Sequence, residues 1–415
     1  MRFELIELRP HQKRALQSML YADKGQVIVP TGGGKTMIMI QHAKRLINEN
    51  KFSTIVVVAP RILLAQQLCE EFLSVIKTYS GVLHVHSGDT QHQQTTNPTE
   101  IYDFAVNNWK RPKLIFATYH SLGRILSADI DIDCCYFDEA HNATKRNFFP
   151  SVAAMSDAAT QSYYFTATPV LSSGHNRGMN NSLVYGNVLE SVEASELIAN
   201  GSIVKPTIVP FETDLHYAKE RQHVHHSITI QDILNDLPKD KAQKVLISVP
   251  SSRVLNNIIG HTTILNELRA RGYDILHITS KFGAYVNDKK VKRDKFFATL
   301  RDYGDDLDRK FIVFHYSILS EGISVSGLTH SILLRNLNLV EMAQTVGRVI
   351  RMDKRDRKSI SEGRIKAGEM AFYVKPTGFV TVPVHKEYGS KTITRLQKVV
   401  DNIFVDGIPP RVVRR

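Results

Sequence analysis

The sequence predicts an α/β fold of two lobes, each a mostly parallel sheet flanked by helices. Short runs of apolar, β-branched or aromatic residues alternate along the 415 residues with longer segments of helical patterning. The runs are apolar almost throughout, which is typical of strands in a parallel sheet that is covered on both faces. At roughly 150 residues per domain, the length favours two or three domains over one. Together these observations indicate βαβ units joined by right-handed crossovers.

The first lobe contains a series of near-continuously apolar segments that we predict to be strands. They lie at Gln26–Val29, Thr54–Ala59, Lys113–Ala117, Cys134–Phe137 and Ser162–Phe165. Between them, Met37–Asn48 and Ile62–Thr78 are long enough to be crossover helices. The connection near 171–206 carries serine, glycine and asparagine pairs and ends at Lys205-Pro206. We therefore expect a domain boundary near residue 205.

The second lobe repeats this alternation. Its predicted strands are Lys244–Val249, Asp274–Ile278, Lys310–His315 and Ser331–Leu334. Its predicted helices are Ser252–Arg271, Asp288–Arg301 and Leu339–Ile350. Val374–Val384 and a helix at His385–Val399 are expected to form a short C-terminal extension that packs on this lobe. The predicted domains are thus 1–205, 206–375 and 376–415.

The net charge of the chain indicates an anionic partner. Lys and Arg total 53 against 41 Asp and Glu, a formal charge of +12. Residues 1–200 hold 18 basic and 18 acidic residues, whereas residues 201–415 hold 35 and 23. Nucleic acid is the commonest partner of a basic protein, and the entire excess belongs to the second half.

Cysteine content argues against a disulfide-stabilised protein, and hydropathy argues against a membrane-spanning one. The three cysteines, Cys69, Cys134 and Cys135, are too few for a disulfide scaffold. Cys134 and Cys135 lie in an apolar run, and we expect these two to be buried and reduced. No apolar run approaches the ~20 residues that span a bilayer, and the N-terminus lacks a signal peptide's apolar core. We expect a soluble, cytoplasmic monomer with no membrane partner.

The strongest local motif is Pro30–Thr36, which contains three consecutive glycines and lies between a predicted strand and a predicted helix. Such glycines let backbone N–H groups close around a phosphate chain at a helix N-terminus. Lys35 would reach the β- and γ-phosphates, and the Thr36 hydroxyl would bind Mg²⁺. The strict G-x-x-x-x-G-K-[ST] pattern fails only at its first position, which is Val29. The motif predicts a nucleoside triphosphate site.

A second motif, Asp138–His141, follows the predicted strand Cys134–Phe137 directly. A carboxylate at the end of a strand beside a phosphate loop can hold Mg²⁺, and the next carboxylate can deprotonate an attacking water. Two acids at a strand end are weak evidence alone, because such residues are often merely solvated. The glycine loop upstream makes Asp138 and Glu139 candidates for hydrolysis.

With these motifs, the chain resembles the superfamily 2 helicases and translocases that carry a D-E-A-H box, over about residues 5–355. Further matching segments follow in the family's order: Leu8–Gln12, Ala59–Arg61, Ala117–Leu122, Thr166–Pro169, Ser320–Ile323 and Gln344–Arg351. The resemblance implies two tandem RecA-like domains. Many relatives have Asp where this chain has Ser324, so a specific contact there does not carry over.

The resemblance also implies a role for each matching residue. The residues expected to bind ATP are Arg9, Gln12, Thr31, Gly32, Gly33, Gly34, Lys35, Thr36 and Gly322. Those expected to hold Mg²⁺ are Thr36 and Asp138. The expected catalytic residues are Lys35, Asp138, Glu139, Gln344, Arg348 and Arg351, with both arginines arriving from the second lobe. Coupling is expected from His141, Thr166 and Thr168, and nucleic-acid contacts from Arg61, Thr118 and Ser121.

The leading hypothesis from sequence is an ATP-driven DNA translocase or helicase that acts on duplex, forked or branched DNA in recombination, replication or repair. Among relatives, the chain looks most like phage-type recombination helicases, which would place it in a host cytoplasm, and like the motors of restriction enzymes and RecG-like proteins. An RNA-dependent ATPase and a nucleic-acid-binding module with a vestigial ATPase stay open. The basic cluster 289–295 either extends the nucleic-acid path or forms a solvated helix face.

Overall fold

The protein contains two compact α/β units. In the computed structural model, the described residues are 8–173, 176–213, 221–237, 242–279, 281–316, 327–335, 337, 339–385, 394, 397, 400–401 and 412–414. The first unit comprises Met1–Glu193 with Pro409–Arg415, and the second comprises Ala194–Ile408. Each unit has a mostly parallel sheet flanked by helices, which confirms the predicted fold class. The domain limits at 205 and 375 stay predictions.

The first unit is built on a sheet in which every described strand pairing is parallel. Its strands are β1 (Lys24–Ile28), β2 (Thr54–Ala59), β3 (Gly81–Val85), β4 (Gln93–Gln94), β5 (Lys113–Thr118), β6 (Ile132–Phe137), β7 (Ala159–Thr166) and β9 (Asn187–Ser191), with a short β8 (Val170–Ser172) outside the sheet. The helices are α1 (Pro10–Met19), α2 (Lys35–Glu49), α3 (Ile62–Val75), α4 (Pro98–Asn107), α5 (Leu122–Leu126), α6 (Phe149–Ala158) and α7 (Ser182–Tyr185).

Strand order decides which loops meet in this unit. The sheet runs β4-β3-β5-β2-β6-β7-β1-β9, so β7 lies between β6 and β1. Parallel strands bring the loops that follow them to the same edge. The glycine loop after β1, the threonine segment after β7 and the Asp138–His141 segment after β6 are therefore neighbours. The segments after β2 and β5 continue the same edge.

The second unit has a mixed sheet. Its strands are β10 (Lys205–Thr213), β11 (Lys244–Ser248), β12 (Asp274–Thr279), β13 (Gly283–Val286), β14 (Lys289–Val291), β15 (Phe311–His315), β16 (His330–Leu333) and β17 (Thr377–His385). The helices are α8 (Ala194–Ala199), α9 (Gln222–Asp236), α10 (Ser252–His261), α11 (Ile264–Ala270), α12 (Arg293–Asp305), α13 (Leu339–Val349) and α14 (Lys354–Ser361). The sheet order is β10-β17-β16-β11-β15-β12-β13-β14, with only β13 and β14 antiparallel to their neighbours among the described pairings.

Two predicted helices of this unit are wrong in extent. Ser252–Arg271 is two helices, because Thr262 is extended at φ −134° and its hydroxyl donates to the Ile258 carbonyl at 2.6 Å. Asp288–Arg301 begins only at Arg293, since 289–291 form β14. The turn before β14 has Asn287 and Asp288 at positive φ, 45° and 68°, as in a two-residue hairpin. Part of the basic cluster 289–295 therefore lies on an edge hairpin rather than on a helix face.

Residues 376–415 are divided between the units. Strand β17 belongs to the second sheet, whereas β18 (Val412–Arg414) pairs in parallel with β8 of the first unit. Most of the predicted helix His385–Val399 lies outside the described residues. All three cysteines are buried and free, which confirms the prediction for Cys134 and Cys135. Within the described part of the chain, no helix is both long and apolar enough to cross a membrane.

Candidate active site

The glycine loop joins β1 to α2 through a backbone that requires glycine. Gly32 and Gly34 adopt φ of 91° and 85°, a region that residues with a Cβ disfavour. A Cβ on Gly34 would lie 2.5 Å from the Gln12 Nε2. Gly34 is the N-cap of α2, so the first N–H groups of this helix have no acceptor within the helix. Such a helix start favours an anion.

The first turn of α1 packs against this loop. Gln12 Nε2 donates to the carbonyl oxygen of Gly34 at 3.3 Å, while its Oε1 accepts from the Arg9 backbone N–H at 2.9 Å. His11 Nε2 donates to the carbonyl oxygen of Gly33 at 2.7 Å. The structure thus brings the predicted Arg9 and Gln12 to the glycine loop. The sequence motif contained His11 but gave no reason to assign it this contact.

Two carboxylates and one ammonium group lie close together at the sheet edge. The Lys35 Nζ is 4.0 Å from the Glu139 Oε1, and these side chains are 10% and 8% exposed. Asp138 is buried after β6, and its N–H donates to the Val58 carbonyl of β2 at 2.8 Å. Burial, and then the neighbouring Glu139, raise the pKa of the Asp138 carboxyl, which the Lys35 charge partly opposes. The predicted Lys35, Asp138 and Glu139 therefore form one cluster.

Glu139 is held in a strained conformation. Its φ is 49° and its ψ is 51°, which is uncommon for a residue with a Cβ. Asn142 Nδ2 donates to its carbonyl oxygen at 3.0 Å. Its Oε2 is buried and makes no hydrogen bond to the described residues. A buried carboxylate oxygen with spare acceptor capacity is suited to a water molecule or a cation.

A relay of close side-chain contacts connects Glu139 to the end of β7. The His141 Nδ1 lies 3.5 Å from the Glu139 Oε2, 3.2 Å from the Thr166 Oγ1 and 3.4 Å from the Thr168 Oγ1. The Thr168 N–H donates to the Thr166 Oγ1 at 3.1 Å. These side chains are all buried. The structure therefore brings together the three residues that the resemblance assigned to coupling.

The predicted nucleic-acid residues of this unit lie further along the same edge. Thr118 ends β5, and its Oγ1 is 3.1 Å from the Ser121 Oγ; both residues are buried. Arg61 follows β2 as the N-cap of α3 and is half-buried. The two hydroxyls are directed at each other. Of these three residues, Arg61 has the most exposed side chain.

In the second unit, the predicted Gln344 and Arg348 are one turn apart on α13, and both are buried. The Arg351 backbone bridges to Ile203, and its carbonyl oxygen accepts from the Lys375 Nζ at 2.8 Å. Sequence reasoning missed Lys375, whose pKa burial lowers to about 7. No motif marks this lysine. The predicted Gly322 lies outside the described residues.

Comparison with known proteins shows which proteins this chain is similar to. Residues 5–171 match the family model "Type III restriction enzyme, res subunit". The ATP-dependent DNA helicase uvsW of Enterobacteria phage T4 is 22% identical over 96% of this chain and 76% of that protein. These similarities support a helicase of superfamily 2. The names of the relatives and the matched helicase-family domain support an ATP-hydrolysing helicase.

Two solved structures support the fold of this chain. The ATP-dependent Type ISP restriction-modification enzyme LlaBIII bound to DNA aligns with a TM-score of 0.69 and 15% identity over 98% of this chain. The chain spans only 31% of that enzyme. Mss116p bound to ssRNA and AMP-PNP aligns with a TM-score of 0.61 and 14% identity over the whole chain and 76% of Mss116p. The predicted tandem RecA-like architecture is confirmed.

Proposed function

We propose that the protein hydrolyses ATP and couples hydrolysis to movement on DNA. The observation that carries this proposal is the strained, buried Glu139, which lies between Lys35 and His141 at the edge that carries the glycine loop. A carboxylate in this setting can accept a proton from water while a lysine holds the phosphate. The uvsW relative, named as an ATP-dependent DNA helicase, supports the same chemistry.

Different residues of the first unit would bind the triphosphate, hold Mg²⁺ and activate the attacking water. The amides at the start of α2 and the Lys35 ammonium would hold the triphosphate. Thr36 and Asp138 are the residues that would hold Mg²⁺, and their hydroxyl and carboxylate oxygens are ligands that this ion prefers. When bound, Mg²⁺ supplies positive charge to the phosphate oxygens. Glu139 would orient and deprotonate the attacking water through its Oε2, which makes no hydrogen bond to the described residues.

Arg348 and Arg351 are proposed to stabilise negative charge on the transferring phosphoryl group. Their five-donor guanidinium groups suit phosphate oxygens, and neither loses its charge at neutral pH. Gln344, which shares a helix face with Arg348, is proposed to support this contact. An alternative, that the ATPase is vestigial, would predict loss of at least one of these groups.

Coupling is proposed to run through the His141 relay. Because His141 contacts both Glu139 and the threonines after β7, a change at the carboxylate can alter the hydrogen bonds of that segment. A Thr166→Val variant removes the hydroxyl with little change of shape. We expect it to retain basal ATPase and to lose several-fold of its stimulation by DNA. Unchanged stimulation would remove Thr166 from this role.

Duplex, forked or branched DNA is the proposed substrate, in recombination, replication or repair, with the chain acting as a monomer. Relatives named for DNA support this choice, and the excess positive charge of residues 201–415 suits phosphate contacts. The RNA-bound Mss116p structure supports the second candidate, an RNA-dependent ATPase.

The test is steady-state ATPase of the full chain with single-stranded DNA, duplex DNA, forked DNA and RNA in parallel. We expect the largest stimulation with duplex or forked DNA and the smallest with RNA. Stimulation by RNA alone would overturn the DNA assignment in favour of the second candidate. Salt should weaken DNA binding steeply, since phosphate contacts release counterions.

A further inference from the structure

Three loops of the first unit meet at the sheet edge opposite the glycine loop. Segments 50–53, 76–80 and 108–112 precede β2, β3 and β5, which are neighbours in the order β3-β5-β2. Hydrogen bonds join them: the Gly81 N–H donates to the Pro112 carbonyl and the Lys113 N–H to the Ser53 carbonyl, both at 2.8 Å. The loops therefore form one surface, a strand length of about 17–20 Å away from the catalytic edge.

The composition of this surface is basic and aromatic. The three segments contain four lysine or arginine residues and neither aspartate nor glutamate. Their aromatic side chains are highly exposed: Phe52 by 54%, Tyr79 by 78% and Trp109 by 61%. We name this set the amino-edge patch and define it as Lys51, Phe52, Lys77, Tyr79, Trp109, Lys110 and Arg111. Exposed rings grouped with cations are unusual on a surface that has no partner. One carboxylate from outside the three segments, that of Asp133, reaches this edge, where its Oδ1 accepts from the Asn50 Nδ2 at 3.4 Å.

Two cation–π contacts order the patch. The Lys110 Nζ lies 4.6 Å from the centre of the Trp109 ring, and the Arg111 Cζ lies 4.6 Å from the centre of the Tyr79 ring. The Asn108 Oδ1 accepts from the Arg111 Nε at 2.5 Å, which fixes the arginine from its other side. The Trp109 and Tyr79 rings thus each have a cation over one face, while much of the surface of each ring is exposed.

We infer that the amino-edge patch binds unpaired nucleotides of single-stranded nucleic acid. Exposed aromatic rings stack on bases without regard to sequence, and neighbouring cations contact the phosphates. The charge is complementary, because the loops carry cations alone. Duplex DNA does not offer free base faces, so the ligand class is a single strand such as an unwound arm. The patch lies away from the sheet edge of Arg61 and Thr118, so it is a second contact.

An acidic protein surface is the competing occupant. Such a surface would pair with the lysine and arginine side chains but would not need the aromatic rings to stack on bases. The two occupants therefore differ in how much of the binding depends on ring stacking. The observations favour nucleotides because two of the three exposed rings, Trp109 and Tyr79, carry an adjacent cation, the arrangement that suits base and phosphate together.

The chain supplies its own probe, because Trp109 is its only tryptophan. Titration of the full chain with oligo-dT should change the intrinsic tryptophan fluorescence to saturation. An abasic oligonucleotide of equal length, which keeps the phosphates but lacks bases, should leave the fluorescence unchanged, as should blunt duplex DNA. Signals of equal size from the abasic and dT strands would overturn base stacking.

Variants measured by anisotropy of labelled oligo-dT test the contribution of each ring. Trp109→Ala and Tyr79→Ala should each weaken binding by about tenfold, as expected for loss of one stacked base. Trp109→Phe should restore most of the affinity. Tyr21→Ala is the matched control, since Tyr21 is 82% exposed and lies outside the patch. Wild-type affinity in both alanine variants, or a change only in self-association, would overturn the inference.

The inference rests on the proposed function in taking nucleic acid as the ligand, yet the two can fail separately. Basal ATPase should be unchanged in Trp109→Ala and Tyr79→Ala, because neither residue belongs to the hydrolytic cluster. If the wild-type chain shows DNA-stimulated ATPase but its tryptophan fluorescence does not respond to oligo-dT, only the patch is overturned. A fluorescence change in a chain that lacks DNA-stimulated ATPase would retain the patch and overturn only the motor.

Discussion

The two units assemble their functional side chains in different ways. In the first unit, strand order brings together Lys35, Glu139 and Thr166, which are far apart in sequence. In the second unit, Gln344 and Arg348 share a face through helical periodicity alone. The first arrangement depends on the whole sheet, whereas the second is local. Changes to the loop backbone should therefore disturb the site of the first unit, whereas the site of the second unit should respond mainly to the side chain that is replaced.

The largest expected effect comes from the second unit. Arginine fingers in other nucleotide hydrolases contribute about 10³–10⁵ in rate, so Arg348→Ala should lower DNA-stimulated turnover by at least the lower figure while ATP binding is retained. Arg348→Lys keeps the charge without the forked donors and should recover only part of the activity. Circular dichroism of both variants checks folding. Wild-type turnover in folded Arg348→Ala would contradict the assignment.

Glu139→Gln tests the first unit. General-base catalysis contributes about 10²–10⁴, so turnover should fall within that range because an amide cannot accept the water proton. The amide is isosteric, and the variant should still bind ATP and DNA. Stopped-flow measurement with a fluorescent ATP analogue separates binding from turnover. Full activity would remove Glu139 from its role.

Gly34→Ala tests the backbone of the glycine loop. Its positive φ costs a residue with a Cβ about 1–2 kcal/mol, and the added atom would also meet the Gln12 amide. We expect ATP to bind about tenfold more weakly, because the loop must shift and would displace the backbone amides that are proposed to bind the phosphates. Gly123→Ala is the matched control, because its Cβ would make an ordinary contact 3.7 Å from the Ser151 Oγ. Equal ATP affinity in the two variants would contradict this account.

The smallest expected effect is on cysteine labelling, which reports the stability of the first unit separately from that of the second. All three cysteines lie in the first unit and are buried. Burial raises the pKa of Cys69 to about 12 and of Cys134 and Cys135 still further, so little thiolate exists at pH 8. Native protein should resist iodoacetamide, and labelling during a urea titration should follow opening of the first unit only. Rapid labelling of native Cys69 would contradict its burial.

Much of the fold could be predicted because its strands are buried apolar segments. Thr54–Ala59 was predicted to the residue, and the glycine loop and Asp138–His141 lie at strand ends as expected. The hairpin at Asn287-Asp288 was missed because the charged residues after it suggested a helix. The sign that could have revealed it is an Asn-Asp pair between two short β-prone segments.

The candidate site could be predicted in its residues but not in its contacts. Motif spacing identified His141 and Thr166, yet their hydrogen bond depends on β7 lying beside β6, which no local pattern states. The contact between Gln12 and Gly34 likewise depends on how α1 packs on the loop. Lys375 and the amino-edge patch carry no motif. Their neighbours come from distant parts of the chain.

The most direct test of the central claim, that hydrolysis drives movement on DNA, is displacement of the third strand from a DNA triplex by the full chain. We predict displacement with ATP for the wild type, and none with Glu139→Gln or without ATP. The third strand must lie beyond a duplex segment, so that binding alone does not release it. DNA-stimulated ATP hydrolysis without displacement would contradict the claim.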